Sequence, residues 1–210
     1  MAKSEKLTVK ELKEKLLADK KNAVLRMSEE ELKKCDKFCE GYKAFLDIAK
    51  TEREASAEIV KMAKARGFVE FSAKNKYKPG DKVFYLNREK SVILAVIGKE
   101  SIENGVNLVA AHIDSPRLDM KQNPLYEKDE VAYFKTHYYG GIKKYQWTAI
   151  PLELRGVVCV CENGEVKRVQ VRVGDKPTDP KFVITDLLPH LATEQMTRKA
   201  TEVIKGEGLN

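Results

Sequence analysis

Apolar positions recur with a helical period through the first third of the chain. Leu12 and Leu16 stand four apart, and Ser28 followed by Glu31 has the form of a capping box that opens the next element. From there Leu32, Cys35, Cys39, Tyr42, Leu46 and Ala49 follow one another at alternating three- and four-residue steps, widened by Phe38 and Phe45. That stripe predicts a helix packed by one face. Thr51 and Glu54 repeat the capping pattern, so a break or second start precedes Ala55, Ile59, Val60 and Ala63, and Gly67 sits where a C-terminal cap belongs. Cys35 and Cys39 share one side of the helix; because they lie within the apolar stripe, buried thiols are expected rather than half a metal site.

From Phe68 the period becomes that of strands. Lys78-Pro79-Gly80-Asp81 is a turn, and the apolar runs Val83–Leu86 and Ser91–Gly98 flank the polar Asn87–Lys90, which predicts a hairpin. After Asn104-Gly105, the run Val106-Asn107-Leu108-Val109-Ala110-Ala111 is of the kind found in strands covered on both faces. It leads directly into His112-Ile113-Asp114-Ser115-Pro116. Helices followed by buried strands predict an α/β or α+β arrangement.

The last third alternates differently. Val157–Cys161 and Val166–Val173 flank Glu162-Asn163-Gly164-Glu165, a hairpin with a type I′ turn signal, and from Val169 valines alternate with polar residues as in a sheet with one wet face. Cys159 and Cys161 then point to one face, a core face rather than a metal site, since no partner ligands follow at zinc spacing. A polar helix is expected from about Thr193 to Lys205.

Composition narrows the class. The 210 residues, 42% hydrophobic and 34% charged, suit one domain or two small ones. No run approaches a membrane span, residues 1–30 lack the apolar stretch of a secretory signal, and the four cysteines are read as reduced thiols, so a cytoplasmic location is expected. The net charge of +7 invites a nucleic-acid reading. Yet Lys10-Glu11-Leu12-Lys13-Glu14-Lys15 and its like alternate signs as solvated helix faces do, and no nucleic-acid motif accompanies them. With only His112, His137 and His190 available, a metal site must lean on carboxylates or be incomplete.

His112 and Asp114 stand at the carboxyl end of the expected buried strand, where α/β proteins place catalytic groups. If the strand continues through Ile113, a period of two puts both side chains on one side. Such a pair lets one imidazole nitrogen bind a metal while the carboxylate fixes the ring and its tautomer. A structural, hydrogen-bonded histidine is the other reading of the motif, because a zinc site needs three or four protein ligands.

The surrounding residues carry more. Asn107 through Asp119, then Asn123-Pro124-Leu125-Tyr126-Glu127 and His137-Tyr138-Tyr139-Gly140-Gly141, closely resemble the aspartyl aminopeptidases, the aminopeptidase I type of zinc metallopeptidase. The likeness runs from about Phe45 to Leu191, and its most specific parts are His112–Pro116 and Tyr139-Gly140-Gly141. It implies an α/β fold: the amino-terminal part of a metallopeptidase domain over 1–125, then a β-rich dimerisation domain over 126–210. It also implies that His112 binds one of two zinc ions, other divalent metals being possible, and that Asp114 supports it as a catalytic group. The expected activity is removal of an N-terminal, acidic residue from peptides by a homo-oligomer, with neither nucleic acid nor membrane as partner.

In this family the bridging carboxylate, the remaining ligands and the general base follow the dimerisation domain, beyond Asn210, so the chain is expected to be inactive alone. Asp119, Glu127, Asp129 and Glu130 are expected to be solvated charges instead. A dimerisation-domain histidine of the family reaches the neighbouring subunit's substrate site; His190 could hold that place, or the position could fall a helical turn later, at Glu194. His137 receives no role. The alternative to an enzyme is a non-catalytic dimerisation or binding module derived from one.

Overall fold

The computed structural model describes residues 8–18 and 22–210, and its backbone divides into two units, Met1–Asp47 and Ile48–Asn210. In the first, α1 (Val9–Leu16) begins at Thr8, whose hydroxyl accepts from the Glu11 amide while the Glu11 carboxylate takes the Thr8 amide. The next helix, α2 (Glu29–Ile48), starts with the same reciprocal pair, Ser28 and Glu31, as the sequence predicts. Its apolar stripe is largely uncovered: Phe38 is 76% exposed, Cys35 and Cys39 are both exposed, no residue of α2 is buried, and only Leu32 and Phe45 of the stripe within α2 are half-buried. The expectation of buried thiols there is therefore corrected, because a stripe buries its cysteines only when another surface lies on it.

The second unit opens with α3 (Glu52–Ala65), capped by Thr51 and ended at Gly67, whose φ of +82° suits a residue without Cβ. Only half of the expected capping box forms. The Glu54 amide donates to Thr51 Oγ1, but the Glu54 carboxylate is drawn to two arginines and takes only the Thr51 hydroxyl. Ala55 and Ala63 are buried on the side of α3 that lies on a three-stranded sheet of β1 (Val69–Glu70), β2 (Lys82–Asn87) and β3 (Ser91–Val96). β1 runs parallel to β2, and β2 and β3 form the expected hairpin, with Val83 and Phe84 buried.

Two further hairpins follow. β4 (Arg117–Lys128) pairs with β5 (Val131–Tyr139), with a bulge between Met120 and Leu125, and β6 (Leu154–Glu162) pairs with β7 (Glu165–Val173). At the β6–β7 turn Asn163 and Gly164 both have positive φ, 53° and 82°, the type I′ turn their sequence signals. Val166 and Val169 stay exposed and only Val171 and Val173 are half-buried, so the alternation reaches a covered face only at the end of β7. Cys159 and Cys161 are exposed as well; the core face expected for them is corrected, since a two-stranded ribbon covers neither of its own faces.

The carboxyl-terminal segment makes the remaining core. Leu209, fully buried, meets Ile184 and Ile204, with Leu118, Trp147 and Leu152 packed around them. The polar helix expected to reach Lys205 is only α4 (Thr193–Met196). Thr197 ends it: its hydroxyl and its amide both turn back to the Glu194 carbonyl, and burial of Ile204 and Leu209 then outweighs further helix. Among the described residues no helix is long and apolar enough to cross a membrane.

Candidate metal-ligand site

Residues 106–116 are not a strand. Among the described residues no backbone hydrogen bond holds this run, and Leu108 and Val109 are 81% and 96% exposed. The expected buried strand fails for a physical reason: an apolar run becomes a strand only when neighbours supply a ladder, and none of β1 to β7 does so. His112 and Asp114 consequently stand on an irregular segment that enters β4 at Arg117, immediately after Pro116.

The pair is nevertheless formed. His112 Nδ1 lies 3.1 Å from Asp114 Oδ1 and 3.0 Å from the Asp114 carbonyl oxygen, and the imidazole is 82% exposed. Among the described residues its other nitrogen, Nε2, makes no hydrogen bond. Tyr139, the last residue of β5, donates its hydroxyl to Asp114 Oδ2 at 3.0 Å. That hydrogen bond, followed by those from the backbone and from His112, holds the Asp114 carboxyl below the usual carboxylate range, while the same contact pushes the Tyr139 phenol up.

Tyr139 is set in turn by Arg117, its register partner across the β4–β5 ladder. The guanidinium carbon sits 4.1 Å from the centre of the Tyr139 ring, and the group donates to Asp119 Oδ1 at 2.7 Å and to Glu52 Oε1 at 3.0 Å. Gly140 has φ +78°, and a Cβ there would lie 3.7 Å from Pro116, so the two most specific stretches of the sequence meet at this point. Sequence reasoning singled out Tyr139 but gave it no role, and it missed Arg117 and Glu52. The available signal was the pairing of residues 117 and 139 across a hairpin, which a one-dimensional pattern shows only once the register is known.

Among the described residues, the other expected side chains make no hydrogen bond or ion pair with His112 or Asp114. Asp119 binds Arg117, Glu127 accepts from the Glu130 amide at 2.8 Å, and Asp129 and Glu130 form the β4–β5 turn. His137 stacks on Tyr138 opposite Asp119 in the ladder. His190 is exposed in the turn before α4, and no hydrogen bond or ion pair joins it to His112 or Asp114; Glu194 pairs with Arg198. Two cavities of the second unit, about 500 and 460 Å³, do not include His112. Among the described residues no three His, Cys, Asp or Glu side chains come together to hold a metal ion. One imidazole with a carboxylate beside its Nδ1 is a donor set that fits a part of a zinc site.

A family model described as aminopeptidase I zinc metalloprotease (M18) matches residues 45–207. The chain belongs to the M18 family. It is 50% identical over 191 residues to a probable M18 family aminopeptidase 1 of Borrelia garinii subsp. bavariensis, covering 90% of this chain and 41% of that protein. Among solved M18 structures, aminopeptidase I from Borrelia burgdorferi superposes with a TM-score of 0.74 at 47% identity, over 80% of this chain and 41% of that one. The M18 aminopeptidase from Thermotoga maritima does so with a TM-score of 0.79 at 42% identity, over 91% and 41%. The α/β fold is thus that of part of an M18 aminopeptidase, and the chain spans about two-fifths of the length of the relatives it matches.

Proposed function

We propose that this chain supplies one zinc ligand, His112, and its orienting carboxylate, Asp114, to an M18 aminopeptidase that removes an acidic N-terminal residue from peptides. The observation that carries the reading is an exposed imidazole whose Nδ1 faces two oxygens of Asp114 and whose Nε2 is left without a hydrogen bond among the described residues. Zinc, when bound, supplies Lewis-acid polarisation of a peptide carbonyl and an acidified water. The chain's own residues do something narrower: Asp114 holds the ring, and the exposed ring offers a single donor. The acidic preference, the second ion and the homo-oligomer come from the resemblance to aspartyl aminopeptidases, as does the division into a peptidase portion over 1–125 and a dimerisation portion over 126–210. His190 is exposed, as a residue that reaches a neighbouring subunit must be.

The same reading has the chain inactive unaided, because a zinc site needs three or four protein ligands and His112 would supply one. Two measurements test the reading. The purified chain is assayed with an aspartyl peptide and zinc, alone and mixed with a second chain bearing further M18 ligands. Activity is expected only in the mixture, and His112→Ala abolishes it. Zinc-dependent release by the chain alone would refute the incomplete site, and a mixture indifferent to His112→Ala would refute the ligand.

A further inference from the structure

Nδ1 of His112 faces two oxygens, the Asp114 carbonyl at 3.0 Å and Asp114 Oδ1 at 3.1 Å. A carbonyl and an ionised carboxylate only accept, so the neutral ring satisfies both by carrying its proton on Nδ1. That tautomer leaves the Nε2 lone pair open to solvent. A half-buried Asp two residues along an irregular segment would not by itself hold this geometry, because no backbone ladder fixes residues 106–116. The fixing comes from β5. The Tyr139 hydroxyl takes Asp114 Oδ2, which turns Oδ1 toward the imidazole.

The Tyr139 ring is itself held on one face by the Arg117 guanidinium, whose orientation is set on two sides by Asp119 and by Glu52 in the first turn of α3. The order of contacts is Glu52, Arg117, Tyr139, Asp114, His112. We infer that Tyr139 and Arg117 are positioning residues that act through Asp114 to keep the His112 proton on Nδ1 and Nε2 free as a donor. The inference rests on the ligand reading for its purpose, and on the tautomer alone for its proof.

The test is made on the metal-free chain with isotope-labelled histidine, well above an imidazole pKa of about 6.5, by long-range proton–nitrogen correlation. The ring nitrogen shifts report which nitrogen is protonated, and His112→Gln assigns the signal. The expected result is an Nδ1-protonated His112 in the wild type and a shift toward the Nε2-protonated form in Tyr139→Phe. Arg117→Lys is expected to give a smaller shift in the same direction, with His137 and His190 unmoved. A merely structural role for Tyr139 would alter stability without altering that pattern.

Should Tyr139→Phe not fold, Glu52→Gln loosens Arg117 from outside the β4–β5 hairpin and is expected to shift the same equilibrium. The inference is overturned by a wild-type ring protonated on Nε2. It is equally overturned if the folded variants keep the wild-type pattern. Zinc titration of the mixture described above separates the two readings. A tautomer that responds to Tyr139 in a chain whose His112 does not affect zinc retention supports the positioning and refutes the ligand.

Discussion

Arg155 and Glu54, 101 positions apart, meet at 2.9 Å across the interface of α3 with the β6–β7 hairpin, and the carboxylate is only 6% exposed. Arg172, the register partner of Arg155, reaches the same oxygen at 2.8 Å. One buried anion thus fastens two neighbouring strands to the start of a helix. Replacing it leaves the Arg155 side chain, 13% exposed, with Glu153 as its close partner at 2.7 Å and Asp175 at 4.0 Å among the described residues. Removing one member of a buried pair costs several kcal/mol. Glu54→Gln is expected to lower unfolding stability by about 3 kcal/mol. Arg172→Ala, whose side chain is 42% exposed, is expected to cost below about 1 kcal/mol. Urea denaturation of both variants checks the order; equal losses would place the anchor elsewhere.

That pair also shows where reading the sequence ends. Thr51 and Glu54 were recognisable as a capping box, and the helix does start there, because a cap is decided by residues three apart. What Glu54 does with its carboxylate was decided by residues a hundred positions away. The same division holds at the site. His112 and Asp114 pair as their spacing suggests, and the hairpins with Asn163-Gly164 and with residues 87–90 form where the pattern places them. Local chemistry sufficed for these. The run 106–111 and the cysteines at 35, 39, 159 and 161 are exposed where their pattern predicts burial, since burial depends on a covering surface that composition does not specify.

Asp186 ties three segments of the carboxyl-terminal region together. It accepts from the Gln195 amide at 2.9 Å and the Leu187 backbone at 2.8 Å, with the Thr148 hydroxyl at 3.5 Å. These hydrogen bonds, Gln195 first, hold its carboxyl below the ordinary range. A carboxylate whose pKa is lower folded than unfolded contributes stability above the unfolded value of about 3.9, and that contribution is lost as pH falls through the folded value. Asp186→Asn is expected to lower Tm at neutral pH and to narrow its gap to wild type on acidification. A gap that widens with acid would reverse the assignment.

The β4–β5 hairpin closes through Asp129 and Glu130, both with positive φ, 53° and 63°, between the paired residues Lys128 and Val131. A two-residue turn of this kind favours Asn-Gly, since a Cβ crowds the carbonyl in the left-handed region. Glu130→Gly keeps the backbone amide that donates to Glu127 and relieves that crowding. The unfolded chain gains freedom in exchange. The net expectation is a gain of up to about 1 kcal/mol, read from the denaturation midpoint. Ala at the same position is expected to gain less than Gly.

Ser56 is fully buried in α3, and among the described residues its Oγ has no hydrogen-bond partner. A buried hydroxyl left without a partner costs about 1–3 kcal/mol, and Ser is also the weaker helix former. Ser56→Ala removes the unpaired oxygen and keeps the Cβ, so stability is expected to rise by about 1 kcal/mol. Ser56→Val restores volume but adds a second γ atom at a site with no exposed surface, and is expected to cost about 1–3 kcal/mol through overpacking. The two variants together separate polarity from volume: a loss in both would mean that the hydroxyl is bonded in solution, and a gain in both would mean that the space around Ser56 is open.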